Sequence, residues 1–251
     1  MPSCHVASLL KDYAQQYETV DFLKGDPAWF MHQVEGARNQ ETMAFIASTL
    51  SYGNRKQFMP KIGLLLDASG GEVYRWVREG DYQQLFVPQD SSCFYRLFSC
   101  ATMRLFLDVY RQLLEEYDTL GSYVQQHATS GQAAVQAICQ YFGEQGVRGV
   151  VPKNGESACK RVCMFLRWMV RSNSPVDLGI WSDFIDCRTL IMPLDTHVVS
   201  QSLRLGLLHS RSTTMSAALR LTEALAQIFP DDPLKGDFAL FGYGINHLER
   251  G

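Results

Sequence analysis

Apolar residues recur at spacings of three and four along almost the whole chain, whereas strict alternation of apolar and polar residues is missing. This spacing places apolar side chains on one face of an α-helix, so it predicts an all-α protein with roughly ten or more helices. The predicted helices cover residues 3–23, 27–36, 40–52, 55–69, 92–116, 119–128, 131–144, 157–172, 196–208, 214–229 and 233–246.

Two segments interrupt the helical pattern. Residues 143–156 contain four glycines and a proline, and residues 171–175 end at Pro175. Glycine adopts backbone conformations that other residues avoid, and proline disfavours helix in the residue before it, so both segments are predicted to be loops. The helix predicted between them carries much of the candidate chemistry.

Composition sets the class of protein. The chain has 251 residues, of which 46% are hydrophobic and 20% charged, enough for one large domain or two small ones. The net charge of −3 provides no global attraction for nucleic acid, so such binding would need a local patch. The seven cysteines are odd in number and mostly lie in apolar helical patterns, which indicates reduced intracellular thiols.

The sequence also predicts where the protein resides. No segment reaches the roughly 18 consecutive apolar residues of a membrane span. The N-terminus lacks a basic segment followed by an apolar core, the pattern of a secretory leader. We therefore expect a cytoplasmic protein that does not associate with membranes.

A carboxylate is predicted at the mouth of an amphipathic helix within residues 193–208. Pro193 cannot continue a preceding strand or helix, and Asp195 is a preferred helix N-cap residue. Apolar residues then follow at helical spacing up to a stop at Gly206. By itself this pattern predicts an ordinary N-cap.

A lysine is predicted near the positive end of the preceding helix. Ser157 is the predicted N-cap, which makes Lys160 the third helical residue, where Glu or Gln is usual. An ammonium there opposes the helix dipole by a few tenths to about 1 kcal/mol. The positive potential and partial burial disfavour the charged amine, leaving more free nucleophile for a carbon electrophile such as a sugar C1. The alternative is a solvated lysine in a first turn.

The region around this lysine is basic. Residues 148–171 contain six basic residues and one acidic residue, although the whole chain is acidic. Such a patch suits a phosphate backbone, assisted by N–H groups of the glycine loop and of the helix N-terminus. A solvated helix face is the alternative.

The order of these motifs resembles that of the helix-hairpin-helix (HhH-GPD) superfamily of DNA glycosylases, which includes endonuclease III and the 8-oxoguanine glycosylases. Residues 193–198, followed by residues 204–207, are similar to the aspartate segment of that superfamily. Residues 45–56, 158–171 and 237–245 are similar to DUF2400, an uncharacterised bacterial family assigned to the same superfamily.

The resemblance implies a helical fold in two parts with a cleft between them. Residues 1–37 and 173–251 would form one part, which carries Asp195, and residues 38–172 would form the other, which carries a modified hairpin and Lys160. The implied function is base-excision repair: a DNA glycosylase acting on a damaged base such as an oxidised purine, with lyase activity at abasic sites as an additional activity to be tested. Lys160 would attack the sugar C1′, and Asp195 would stabilise the cationic sugar or activate the nucleophile.

The implied partner is double-stranded, damaged DNA, bound by a monomer. Asn54 would be a wedge or base contact beside phosphate contacts, although a solvated turn between helices explains the same residues. The predicted DNA-binding residues are Asn54, Arg55, Lys56, Lys153, Asn154, Gly155 and Arg161. Trp181 is the candidate for stacking on an extruded base.

The resemblance implies no metal and no other cofactor. In endonuclease III, the segment similar to residues 238–245 leads into four cysteines that hold an iron–sulfur cluster, and residues 246–251 contain no cysteine. Two other classes stay open: a non-catalytic DNA-binding or scaffold protein that retains the fold, and a thiol hydrolase that uses Cys159 or Cys163 with His197.

Overall fold

The computed structural model describes residues 2–153 and 157–248, and most of them are helical, which confirms the all-α prediction. The α-helices are α1 (Cys4–Tyr17), α2 (Ala37–Leu50), α3 (Arg55–Ser69), α4 (Val73–Glu79), α5 (Cys100–Tyr117), α6 (Leu120–His127), α7 (Gly131–Glu144), α8 (Lys160–Val170), α9 (Thr196–Arg204), α10 (Met215–Ala226) and α11 (Lys235–Leu248). Short 3-10 helices cover Val20–Leu23, Pro27–His32, Asp81–Gln84 and Cys187–Thr189. No helix in the described part of the chain is long and apolar enough to cross a membrane.

The prediction of one helix over residues 92–116 is wrong in its first turns. Strands β1 (Cys93–Tyr95) and β2 (Phe98–Ser99) pair there as an antiparallel hairpin, and α5 follows directly. The spacing of four between Phe94 and Phe98 fits a helix, but the hairpin buries both rings as well. Ser99 then caps α5, because its side chain accepts a hydrogen bond from the Thr102 N–H.

The structure confirms the predicted boundaries of the helices at 55–69 and 131–144, which begin after the caps Asn54 and Ser130. The prediction for 157–172 is wrong at its start, since α8 begins at Lys160. Helix α4 was missed, because its seven residues are too few to display a clear helical period.

Helix α2 forms the centre of the molecule. Its residues 41–50 are all buried, and it contacts α3, α4, α6, α8 and the 3-10 helix Pro27–His32. Phe45 lies at the middle of an aromatic cluster and packs against rings of α5, α7 and α8, the partners being Phe106, Tyr110, Phe142 and Phe165. Burial of several large rings stabilises this arrangement of helices.

Buried ion pairs join α8 to the elements that carry the termini. Arg171 Nη2 lies 2.6 Å from Glu18 Oε1 at the end of α1, and Arg171 Nε donates to Asp232 ahead of α11. Arg167 lies against Asp177 and Asp237. Helix α1 in turn packs along α11, which contacts α9. Since removing one member of a buried ion pair costs several kcal/mol, this network fixes α8 relative to α11.

Candidate active site

A pocket of about 510 Å³ opens between the ends of several elements. Residues 51–53 after α2, the start of α3, one face of α8, the start of α9 and one face of α11 line it. Lys160 and Asp195, the two residues singled out in the sequence, both lie in this lining. Pockets of this size accommodate small molecules or single nucleotide components.

The two carboxylate oxygens of Asp195 contact different partners. Oδ1 accepts hydrogen bonds from the backbone N–H groups of His197 and Val198, both at 2.9 Å, which caps α9. Oδ2 lies 3.0 Å from Lys160 Nζ. Burial alone would raise the pKa of Asp195, but the Lys160 charge and the Val198 hydrogen bond outweigh it, so this pKa lies below its usual value. The carboxylate is therefore ionised at neutral pH.

Lys160 is the first residue of α8. The sequence pattern had predicted it as the third residue of that helix. The residue before the helix is Cys159, whose φ of 48° lies in the left-handed region, and Ser157 Oγ instead accepts a hydrogen bond from the Cys159 N–H. The side chains of Lys160 and Asp195 are 36% and 30% exposed. Both groups are thus within reach of a ligand in the pocket.

The pocket lining contains equal numbers of positively and negatively charged residues. Burial raises the pKa values of Asp26 and Asp237 in spite of the neighbouring Arg167 guanidinium. Three carboxylates and three cations line the pocket, namely Asp26, Asp195, Asp237, Arg55, Lys160 and Arg167. The described lining therefore carries no formal net charge, which suits an uncharged heterocycle or sugar better than a phosphate.

The sequence pattern did not indicate Asp237 and Arg167, which also line the pocket. Arg167 Nη1 donates to Asp237 Oδ2, and this pair links α8 to α11 beside the Lys160–Asp195 pair. No local pattern identifies them, because the two residues are far apart in the sequence and each occupies an ordinary helical position.

Three of the predicted DNA contacts, Asn54, Arg55 and Lys56, lie at the start of α3. Asn54 caps α3, since its Oδ1 accepts the Lys56 N–H at 2.9 Å. Arg55 lines the pocket and lies 3.5 Å from Asp26 Oδ2, while Lys56 is exposed. Of these three residues, Arg55 belongs to the described pocket lining, and Asn54 and Lys56 do not.

The remaining predicted contacts are distributed differently. Arg161 donates to three backbone carbonyl groups, those of Thr49, Gly149 and Val150, at 2.6 to 2.8 Å. Its guanidinium therefore anchors the loop before α8, and burial lowers the pKa of Arg161 to about 10. Lys153 is exposed, and the predicted contacts Asn154 and Gly155 lie outside the described residues.

Trp181 is not part of the pocket lining, contrary to its predicted role of stacking on an extruded base. Its side chain is buried, and its ring packs edge-on against Phe165. Trp181 Nε1 donates to Glu41 Oε2 at 2.9 Å. A buried indole usually has a hydrogen-bond partner for its N–H group, and here that partner is Glu41. The position of Trp181 in the sequence, between Lys160 and Asp195, did not indicate this contact.

That partner, Glu41, is a buried acid in the central helix. Its carboxylate accepts the backbone N–H groups of Leu120 and Gly121 as well as the indole of Trp181. Burial raises the pKa of Glu41 to about 7, although these three hydrogen bonds act in the opposite direction. The sequence offered one signal for this buried acid: Glu41 is a charged residue directly before the mostly apolar segment 42–50.

The thiol alternative has no supporting geometry in the described residues. Cys163 is buried in α8, and burial raises the pKa of its thiol. Cys159 Sγ lies 3.8 Å from Cys139 Sγ and near backbone carbonyl groups. His197 lines the pocket, but no hydrogen bond joins it to either thiol within the described part of the chain.

Comparison with known proteins places most of the chain in one family. Residues 26–246 match the family described as "Protein of unknown function (DUF2400)". No curated protein and no solved structure matches the chain. The matched segment includes Lys160 and Asp195.

Proposed function

The chain belongs to the DUF2400 family, and we propose that it is a base-excision DNA glycosylase with a lyase activity at abasic sites. The observation that carries this proposal is the 3.0 Å contact between Lys160 Nζ and Asp195 Oδ2 in a pocket that reaches the surface. The amine and the carboxylate come from different elements and meet where a substrate can touch both.

The proposal includes the HhH-GPD type of fold. In that arrangement residues 1–37 and 173–251 form one part and residues 38–172 the other. The pocket lining is consistent with it, because α8 supplies Lys160 while the start of α9 and one face of α11 supply Asp195 and Asp237. A cleft between two such parts is a suitable place for a nucleotide taken out of a duplex.

The first chemical step breaks the bond between the damaged base and C1′ of the sugar. The base leaves with the bonding electron pair and takes a proton from water, and positive charge develops on C1′ and the ring oxygen. Asp195 is ionised and lies in a partly buried site, so it stabilises this charge strongly. The balanced charges elsewhere in the lining suit an uncharged base.

The second step uses Lys160 as the nucleophile. Its ammonium loses a proton to Asp195 Oδ2, the described carboxylate oxygen 3.0 Å away. The amine then forms a bond to C1′. Asp195 gives its proton to the ring oxygen as the bond between that oxygen and C1′ breaks, and the opened sugar is held as an imine. Water takes the C2′ proton while the C3′–O bond breaks and the 3′ phosphate leaves with the electron pair, which breaks the strand. Water then hydrolyses the imine and releases Lys160.

Borohydride trapping tests this proposal. Borohydride reduces an imine to a stable amine, so incubation with duplexes that contain abasic sites or oxidised purines is expected to give a covalent protein–DNA complex. K160A abolishes the complex, and D195N slows its formation by about 10²–10⁴-fold. K24A is the matched control, because Lys24 is 81% exposed and pairs with Asp21.

The outcome that overturns the proposal is equally direct. Absence of a trapped complex on every lesion and abasic duplex, or equal trapping by wild type and K160A, removes Lys160 as the nucleophile. Tight duplex binding without any trapping supports the alternative, a non-catalytic DNA-binding or scaffold protein.

A further inference from the structure

We infer that the β1–β2 hairpin is an element that inserts into duplex DNA, with Leu97 entering the base stack beside the nucleotide drawn into the pocket. This inference rests on the proposed function, because it takes DNA as the ligand. It assigns a role to a surface that the sequence had predicted as part of a helix. The supporting observations are the exposure of Leu97, the rigidity of the hairpin tip, its position and its charge.

Leu97 is exposed to an unusual degree. The residue is 86% exposed, more than any other large hydrophobic residue in the described part of the chain. Single exposed apolar residues are common on protein surfaces. Leu97 differs from them because it projects at the tip of a tight hairpin, between β1 and β2.

The hairpin tip is held in place by one aromatic residue, Tyr52. The Leu97 backbone N–H donates to Tyr52 Oη at 3.4 Å, and the Tyr95 hydroxyl donates to the Tyr52 carbonyl group. The Tyr52 ring packs against the rings of Tyr95 and Phe98. A side chain mounted on such a supported tip can act as a wedge without first becoming ordered.

Tyr52 also places the hairpin beside the pocket. Tyr52 and Gly53 both line the cavity that contains Lys160 and Asp195. The Arg96 side chain lies against Gly53, where a Cβ would collide with Arg96 Nη1, and the φ of 79° at Gly53 also favours glycine. The hairpin tip therefore adjoins the rim of the pocket.

The surroundings of Leu97 are basic. Arg96 lies over the Tyr52 ring at 5.3 Å, and Lys61 lies over the Phe94 ring at 4.9 Å. In the part of the chain that the structure describes, Arg96 makes no ion pair with a carboxylate. An apolar tip flanked by cations fits the stacked bases and phosphates of a duplex better than an apolar protein surface.

The backbone of Arg96 supports a role for its side chain. Its φ of 52° lies in the left-handed region, where glycine is the least strained residue in a two-residue hairpin tip. A guanidinium is nevertheless present there, next to Leu97. We assign it to a phosphate beside the site of insertion.

The first experiment measures unstacking without catalysis. K160A protein is mixed with a duplex that carries 2-aminopurine next to a tetrahydrofuran abasic analogue, and 2-aminopurine fluorescence rises when the base loses its stacking partner. The double variant K160A/L97A is expected to give at least about a twofold smaller rise at saturating protein. K160A/L105A is the matched control, since Leu105 is 42% exposed on α5. Equal fluorescence from the two double variants overturns the inference.

The second experiment compares trapping rates on two substrates. L97A is expected to slow trapping about tenfold or more when the target nucleotide lies in a continuous duplex, because flipping must then break the stacking of that base. Most of that rate returns when the target nucleotide lies in a bulge and is already unstacked. An equal loss on both substrates overturns the wedge and indicates a general defect.

The two experiments separate the inference from the proposed function. If K160A traps as well as wild type, the proposed chemistry fails, and the fluorescence measurement still tests Leu97. If trapping depends on Lys160 while L97A and L105A behave alike, the proposed chemistry stands and the wedge is overturned.

Discussion

Lys160 Nζ lies 3.0 Å from Asp195 Oδ2, while the other oxygen of Asp195 caps helix α9. One carboxylate therefore orients the helix that carries it and pairs with an amine from α8. Because the cap fixes Oδ1, the direction of Oδ2 is set before any ligand arrives. This preorganisation is what a proton acceptor for Lys160 requires.

The two tasks of Asp195 are separable by substitution. Asn is a good N-cap, so D195N keeps an oxygen for the His197 and Val198 N–H groups but loses the charge beside Lys160. We expect D195N to lose trapping activity and, of its stability, only the contribution of the partly exposed ion pair with Lys160, at most about 1 kcal/mol. D195A loses the cap as well and is expected to be destabilised by about 1 kcal/mol more than D195N. Thermal unfolding and borohydride trapping measure the two effects; equal stability of both variants contradicts the capping role.

Asp195 also makes the free energy of unfolding depend on pH in a defined direction. Its pKa is lowered in the folded protein, so the unfolded state binds the proton more readily. The stabilisation is fully present above the unfolded pKa of about 3.9 and is lost as the pH falls through the folded pKa. We expect the difference in unfolding free energy between wild type and D195N to narrow below about pH 4. Urea unfolding at several pH values measures it, and a difference that widens on acidification contradicts the argument.

Trp181 is expected to matter for stability and not for the choice of base. W181F removes the donor to Glu41 Oε2 from a buried site, which is expected to destabilise the fold by roughly 1–3 kcal/mol. The relative trapping of different lesions is expected to stay unchanged. W29F is the matched control, because Trp29 is 40% exposed, and its unfolding free energy should change little. A changed lesion preference in W181F would restore the stacking role.

Glu41 is expected to change the free energy of unfolding with pH in the direction opposite to that of Asp195. Burial raises its pKa to about 7, so between about pH 4.3 and 7 the folded state binds more protons than the unfolded state. The contribution of Glu41 to stability is therefore present at low pH and declines as the pH rises through that interval. E41Q removes the titration, so the unfolding free energy of wild type relative to E41Q should fall between pH 5 and pH 8. A constant difference across this range contradicts the prediction.

Arg161 and Lys56 are expected to differ in what they contribute. R161K loses the fixed fork that donates to three carbonyl groups and is expected to be destabilised by at least about 1.5 kcal/mol. K56A is expected to keep the stability of the wild type. It is also expected to reduce the slope of the logarithm of the duplex-binding constant against the logarithm of salt concentration by about one. Binding titrations at several salt concentrations separate the two. A reduced slope in R161K with unchanged stability would return Arg161 to the phosphate contacts.

Helical spacing identified most of the helices because it is a local property. The caps Asn54 and Asp195 were also predictable, since a short polar side chain satisfies N–H groups two or three residues ahead. The hairpin at 93–99 was not predictable, because Phe94 and Phe98 fit a helical spacing equally well. The start of α8 was also misplaced, since Ser157 binds the Cys159 N–H ahead of the helix.

The sequence by itself determined that the protein is helical, that Asp195 begins a helix and that Lys160 lies near the start of another. Only the tertiary structure decided that these two residues meet, because 34 residues separate them in the chain and their contact depends on how α8 packs against the elements around α9 and α11. It likewise buried Trp181 against Glu41 and left Leu97 exposed. Helix formation and capping act within a few residues, whereas burial and ion pairing depend on packing between distant segments.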